Sequence, residues 1–163
     1  MFKNLIKQNQ LAFIILTILF LIDRSSKFFI LKLVEQGEKL DIYITSYLNL
    51  YLIWNKGIAF GLLSFNENII YNIITALILI IIFTILIMVV KSKGFVKYSL
   101  VAVLAGALGN VFDRIYYSAV PDFIDFHINE FHWFIFNIAD IFITLGVICL
   151  IYVEIFTHKT KNE

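Results

Sequence analysis

The feature that most constrains this chain is an uncharged, largely apolar stretch from Asn68 to Val90, bounded by Glu67 and Lys91. A helix needs roughly 20 apolar residues to cross the hydrocarbon core of a bilayer, and the stretch meets that length. Of all residues, 61% are hydrophobic and only 15% are charged, whereas a soluble domain averages about 25% charged residues. The sequence therefore predicts an integral membrane protein and excludes a soluble globular domain.

Three further stretches are nearly as long but carry polar residues near one end. Together they predict a single domain over 1–163 with four spanning helices, at about 11–30, 68–90, 98–115 and 131–156. The first span could instead be a cleaved signal peptide, because lysines precede it. No small-x-small cleavage site follows, however, so we expect this span to remain as a helix.

The distribution of lysines predicts the orientation, because Lys and Arg are enriched in cytoplasmic loops. Lysines precede the first span, lie between the second and third, and follow the fourth: Lys3, Lys7, Lys91, Lys93, Lys97, Lys159 and Lys161. With four spans these clusters share one side, so both termini are expected in the cytoplasm.

A segment at about 41–55, on the opposite side, alternates between mainly aliphatic side chains and tyrosine or polar side chains. This period of two is typical of a β-strand. The segment could rest on the bilayer surface or offer an edge to an extended peptide. The predicted fold class is an all-α membrane protein, a four-transmembrane-helix bundle with a small extracytoplasmic β segment between helices 1 and 2.

The formal net charge of +1 is too small for a nucleic-acid-binding protein. The single cysteine, Cys149, excludes a disulfide framework and a cysteine-based metal cluster.

Aspartates map to the outer ends of the predicted spans or to the link between the last two: Asp23, Asp113, Asp122, Asp125 and Asp140. A carboxylate that faces lipid is costly, so such groups face the bundle interior and often mark function. The Asp23/Lys27 and Asp113/Arg114 pairs could be structural ion pairs or part of the chemistry, and the Asp122–Asp125 link could be a solvated loop. Asp140 favours function, since it is predicted about eight residues inside span four with no basic partner on its own helix.

Other catalytic motifs are missing from the sequence. His127 and His132 do not fit the His-Glu-x-x-His of a zinc protease, and neither Gly-x-Ser-x-Gly nor Gly-x-Gly-Asp occurs. Two carboxylates that share a proton can catalyse hydrolysis, but spacing alone does not choose Asp122 or Asp125 as the partner of Asp140. A small transporter that uses the carboxylates as a proton relay, and a non-catalytic assembly subunit, remain alternatives.

Five ordered blocks of the sequence closely resemble bacterial lipoprotein signal peptidase (signal peptidase II). They are Asp23–Lys27, Asn55–Gly61, Leu104–Ile115, Val120–Phe126 and Phe136–Asp140. Departures from the family pattern are modest. Arg24 and Ser26 stand where the family commonly has Gln and Thr, and Pro121 stands where a small or apolar residue is more usual.

The resemblance implies an aspartic endopeptidase of the bacterial cytoplasmic membrane that needs no cofactor. It implies as partners membrane lipid and a prolipoprotein substrate with a diacylglyceryl cysteine, which would be cut just before that cysteine near the outer leaflet. The implied catalytic pair is Asp122 and Asp140. The implied supporting or substrate-binding residues are Asp23, Lys27, Asn55, Gly57, Asn110, Asp113, Arg114, Asn137 and Ala139.

Overall fold

The computed structural model describes residues 2–35, 40–57, 68–129 and 131–159 of the chain. The helices are α1 (Phe2–Glu35), α2 (Asn68–Lys91), α3 (Gly94–Tyr117) and α4 (Ile138–Lys159). The strands are β1 (Asp41–Thr45), β2 (Leu48–Asn55), β3 (Val120–Ile128) and β4 (Phe131–Phe136). Residues 58–61, which complete the second of the matched blocks, lie outside the described residues.

Within the described ranges, three helical segments are long and apolar enough to cross a membrane: Tyr71–Lys91, Gly94–Tyr117 and Ile138–Phe156. The prediction of a mainly helical membrane protein is confirmed. The predicted first span at 11–30 lies in α1 and is not among these three segments, so the count of four crossings stays a prediction.

The central helix is α3, which packs against each of the other three helices. In its apolar window 61% of the residues are buried, against 11% in α2 and 17% in α4. Its glycines allow the close approach, because small residues let two helix backbones come near each other. A Cβ on Gly106 would collide with the carbonyl oxygen of Ala139 in α4, and a Cβ on Gly109 would lie 2.5 Å from Asp23 Oδ2 in α1.

The β segment is larger than the sequence predicts. Residues 41–55 do form β structure, as a β1–β2 hairpin, but they belong to a four-stranded antiparallel sheet in the order β1-β2-β3-β4. The two extra strands fall in the predicted link and at the start of the predicted fourth span, 131–156. That boundary is wrong, because α4 begins only at Ile138. A short apolar run such as β4 does not distinguish strand from helix by its pattern.

Chain connectivity places this sheet at one end of the helices. β1 follows the end of α1, β3 follows the end of α3, and α4 begins directly after β4. Ser118 ends α3 in the left-handed conformation, with φ 57°, which turns the chain into β3. The short connection between α2 and α3, by contrast, lies at the far end of those helices. The polar residues at the ends of the helices that adjoin the sheet therefore lie close to the strands.

Candidate active site

A cavity lies where the sheet meets the helices. It has a volume of about 150 Å³, and its lining includes Asn55, Asn110, Arg114, Asp122 and Asp140. The side chains come from β2, α3, β3 and α4, so none of these elements builds the cavity alone. Both carboxylates are buried: Asp122 is 1% and Asp140 is 6% exposed.

Asp122 lies on β3 and accepts hydrogen bonds from two amide side chains. Asn137 Nδ2 donates to Oδ1 at 2.6 Å, and Asn55 Nδ2 donates to Oδ2 at 2.8 Å. Burial, followed by the negative charge of Asp140, raises the pKa of the Asp122 carboxyl to about 6, although the two amide donors lower it. The alternative of a solvated loop at Asp122 is wrong, because this residue belongs to a buried strand.

Asp140 lies in the first turn of α4. The predicted depth of eight residues inside a span is wrong, because β4 occupies the residues that were counted as helix. Asp140 accepts a hydrogen bond from Asn110 Nδ2 at 2.8 Å and one from the Asn137 backbone N–H at 3.2 Å. Its own backbone N–H donates to Asn137 Oδ1 at 3.2 Å. This reciprocal pairing has the form of a capping box, and a helix N-terminus favours a negative charge.

Asn137 connects the two carboxylates. Its side-chain N–H donates to Asp122, while its backbone N–H and its side-chain oxygen are paired with Asp140. Asn137 is 0% exposed. Within the described part of the chain, neither Asp122 nor Asp140 forms an ion pair. The cavity therefore holds two buried carboxylates whose hydrogen-bond donors are all neutral.

A second cluster lies between α1 and α3 and is built from ion pairs. Lys27 Nζ lies 3.0 Å from Asp23 Oδ1 and 2.6 Å from Asp113 Oδ2, so the Asp23/Lys27 pair is confirmed. Arg24 donates to Asp23 at 2.6 Å and to Asp113 at 2.5 Å. The predicted pair of Asp113 with Arg114 is wrong, because the cations of α1 take Asp113. Sequence reasoning missed Arg24, since spacing along one helix does not show a contact between two helices.

This ion-pair cluster holds parts of the cavity in position. Lys27 Nζ donates to Asn110 Oδ1 at 3.0 Å, which leaves the amide N–H of Asn110 to point at Asp140. Asp23 Oδ1 accepts the backbone N–H of Ala139 at 3.1 Å and so fixes the first turn of α4. These residues therefore orient the groups that contact the Asp140 carboxylate.

Arg114 contacts backbone carbonyls. Its Nη2 donates to Gly57 O at 2.8 Å and its Nη1 donates to Asn110 O at 3.2 Å. The Gly57 N–H in turn donates to Asn55 Oδ1 at 2.8 Å, which leaves Asn55 Nδ2 for Asp122. Arg114 thus joins Gly57, just after the end of β2, to α3 beside the cavity.

Asp125, the other candidate partner of Asp140, lies elsewhere. It does not line the described cavity, and its carboxylate contacts His132 Nδ1 at 2.8 Å. The structure therefore brings Asp122, and not Asp125, together with Asp140. The resemblance favours the same pair, and its catalytic role stays a prediction.

Comparison with known proteins assigns the family. The family model described as "Signal peptidase (SPase) II" matches residues 15–156. The chain belongs to the signal peptidase II family. A lipoprotein signal peptidase of Pelagibacter ubique is 52% identical to it over 97% of this chain and 95% of the relative. The lipoprotein signal peptidase of Anaplasma phagocytophilum is 37% identical over 96% and 99% of the two chains.

Solved structures of bacterial membrane enzymes share this fold. A bacterial membrane enzyme determined by the in meso method at 2.3 Å resolution superposes with a TM-score of 0.71, at 28% identity over 94% of this chain and 92% of the other. Another, at 1.9 Å resolution, gives a TM-score of 0.65 at 29% identity, over 88% and 92%. As a member of the signal peptidase II family, the protein is a multi-pass membrane peptidase. The family assignment replaces the transporter and assembly-subunit alternatives.

Proposed function

We propose that the protein removes the signal peptide from diacylglyceryl-modified prolipoproteins by cutting before the lipidated cysteine. Asp122 and Asp140 are the proposed catalytic pair, acting as an aspartic endopeptidase. The observation that carries this proposal is the Asn137 bridge, which holds two buried carboxylates at one cavity with only neutral donors. Two such carboxylates cannot easily both ionise, so the pair keeps one proton.

That proton allows acid–base hydrolysis without a covalent intermediate. The ionised carboxylate takes a proton from water, whose oxygen attacks the scissile carbonyl carbon, while the protonated carboxyl donates its proton to the carbonyl oxygen. When the C–N bond of the resulting gem-diol breaks, the protonated carboxyl gives its proton to the leaving amine. The ionised carboxylate takes the proton of one hydroxyl, whose oxygen becomes the carbonyl oxygen of the product acid. Asn55, Asn110 and Asn137 donate to the carboxylates throughout, so they fix the direction of the oxygens that carry the proton.

An apolar groove beside the carboxylates supports a lipidated substrate. It has a volume of about 250 Å³ and runs along β4 and the start of α4, where Asp140 meets Phe134, Phe136, Ile141 and Leu145. Acyl chains on a cysteine would place apolar surface against such a wall, while the peptide bond lies at the cavity of the two carboxylates. β4 is also an edge of the sheet, and an extended peptide can pair with an exposed strand edge.

The proposed location is the bacterial cytoplasmic membrane, with four crossings and both termini in the cytoplasm. The lysines of the α2–α3 connection, Lys91, Lys93 and Lys97, lie at the helix ends opposite the sheet. The positive-inside rule assigns that end to the cytoplasm. The sheet and the proposed catalytic pair then lie near the outer leaflet, where an exported prolipoprotein presents its cleavage region.

The proposal is tested by incubating the purified protein, in detergent, with a prolipoprotein that carries the diacylglyceryl cysteine and with the same precursor lacking the lipid. A gel shift to the mature form is expected for the lipidated precursor alone. Equal cleavage of both precursors would contradict recognition of the lipid. Failure to cleave either would contradict the proposed activity.

A further inference from the structure

Asp125, His127 and His132 form a cluster on the hairpin of β3 and β4. Asp125 and His127 are two residues apart on β3, so their side chains leave the same face of the strand. His132 lies directly opposite His127 on β4, next to a register irregularity in the ladder. Each of the three offers one ligand atom, and these atoms all lie within 4.8 Å of one another.

The spacing of the atoms suits tetrahedral coordination. Asp125 Oδ2 is 2.8 Å from His132 Nδ1 and 3.5 Å from His127 Nδ1. With metal–ligand bonds of about 2.0–2.1 Å, ligand atoms around a tetrahedral Zn²⁺ ion lie about 3.3 Å apart. These two distances lie on either side of that value, and all three ligand atoms lie within 4.8 Å of one another.

His127 supplies an independent observation. The residue is only 9% exposed, and its Nδ1 atom has no hydrogen-bond partner among the described residues. A buried polar atom without a partner costs free energy, and each such atom in a folded protein needs an explanation. The His127 backbone N–H donates to Tyr47 O at 3.1 Å, which ties this position to the β1–β2 turn. The unpartnered Nδ1 faces the Asp125 carboxylate, where a cation would complete its bonding.

We propose that Asp125, His127 and His132 bind a Zn²⁺ ion through one carboxylate oxygen and the two Nδ1 atoms. Imidazole nitrogen and carboxylate oxygen are ordinary zinc ligands, and three protein ligands leave a fourth position for water or another donor. The side chain of His132 is 56% exposed, so the ion can enter from solvent. None of the three residues lines the cavity of Asp122 and Asp140. The site therefore clamps β3 to β4 beside the proposed catalytic centre and takes no part in hydrolysis.

The test uses the purified full-length protein in detergent and Co²⁺ as a spectroscopic substitute for Zn²⁺. We expect one equivalent of Co²⁺ to give the intense visible absorption of tetrahedral coordination, and Zn²⁺ to displace it. Zn²⁺ should also raise the Tm of the wild-type protein. Absence of the visible bands at a tenfold excess of Co²⁺ would overturn the proposal.

Variants assign the ligands. His132→Gln changes a half-exposed side chain, so the fold should persist while affinity for Co²⁺ and Zn²⁺ falls at least tenfold and the Tm rise disappears. Asp125→Asn and His127→Gln should do the same. His158→Gln, which removes the third histidine of the chain, and Asp41→Asn, at an exposed position, are the matched controls and should bind as wild type does. Bands that survive His132→Gln, or that are lost equally in His158→Gln, would refute the site.

Discussion

Two pairs of buried aspartates lie on either side of Asn110, and they differ in what contacts them. Asp23 and Asp113 are contacted by the side chains of Arg24 and Lys27, so two negative charges meet two positive ones. Asp122 and Asp140 are contacted by amides and a backbone N–H. The first pair is electrically balanced, whereas the second is not.

The difference separates a structural role from a chemical one. A buried ion pair with satisfied hydrogen bonds keeps its charges, and removal of one partner leaves an uncompensated buried charge. Two carboxylates with neutral donors repel each other when both are ionised. One of them therefore keeps its proton in the pH range in which acid–base catalysis needs a proton donor. Buried aspartates therefore have two expected roles in this protein. Those contacted by cations are structural, and those contacted by neutral donors are catalytic.

The largest effect should come from removal of either unbalanced carboxylate. Asp122→Asn and Asp140→Asn keep the shape of the side chain but cannot exchange a proton. Each should lower prolipoprotein cleavage on the order of 10⁴-fold, measured by gel shift at equal protein. The double variant should be no worse than either single variant, because paired groups act as a unit.

Two controls make that comparison specific. Asp125→Asn should retain measurable cleavage, because Asp125 contacts His132 and lies outside the cavity. Asp41→Asn, at an exposed position in β1, should cleave as wild type does. An active Asp122→Asn together with an inactive Asp125→Asn would mean that the pair is misassigned. An active Asp140→Asn would exclude the aspartate mechanism.

The balanced pair should be broken by Lys27→Met. Lys27 is 1% exposed and contacts both Asp23 and Asp113, so its loss leaves buried negative charge. We expect the free energy of unfolding in detergent to fall by about 3–5 kcal/mol, measured by denaturant titration. Lys32→Met, at an exposed position of the same helix, is the matched control and should unfold as wild type does. Equal stability of Lys27→Met and wild type would contradict a structural role for this cluster.

The sequence predicted the helices better than the strands, for a physical reason. Long uncharged runs have few alternatives to a membrane helix, whereas the run from Phe131 to Phe136 can be strand or helix. Its assignment to span four started that helix seven residues early, at 131 and not at Ile138, and so placed Asp140 too deep. Asn137 was the available signal, because an asparagine followed three residues later by an acid can cap a helix.

Contacts between elements were beyond the reach of sequence spacing. Residues adjacent in sequence, such as Asp113 and Arg114, suggested an ion pair, yet the two side chains point to different partners. Arg24 was absent from the predicted site because its main partner is 89 positions away. The choice between Asp122 and Asp125 likewise depended on the β3 strand, which the sequence analysis had treated as a link.

A smaller effect should come from Arg114→Lys, which tests whether the cation that lines the cavity of the unbalanced pair acts by charge or by geometry. Arg114 donates through two nitrogens to two backbone carbonyls, those of Gly57 and Asn110. A lysine keeps the charge but cannot copy this fork. Cleavage should fall about 10–100-fold, measured as kcat/KM, without the loss of stability expected for Lys27→Met. Wild-type kcat/KM in Arg114→Lys would reduce this residue to a generic positive charge.

The smallest expected effect is a shift in the pH dependence of cleavage. The active pair holds one proton, and the pKa of Asp122 is raised to about 6 by burial and by Asp140, so kcat/KM should fall as the pH rises through that range. The proton belongs to the pair, so this fall of kcat/KM at alkaline pH, the alkaline limb, reports the combined titration of both carboxyl groups. Asn55 donates to Asp122 Oδ2 at 2.8 Å and stabilises the ionised form. Asn55→Ala removes that donor, so the pKa rises.

The alkaline limb of kcat/KM in Asn55→Ala should therefore move to higher pH, on the order of one unit, because a hydrogen bond to a charged group is worth about 1.5–3 kcal/mol. Asn49→Ala is the matched control, since Asn49 is on the same strand but pairs in register with Asp125, and its limb should stay in place. If the alkaline limb of Asn55→Ala stays in place or moves to lower pH, Asp122 does not carry the titrating proton. The contrast between an ion-paired aspartate pair and one that shares a proton would then be wrong.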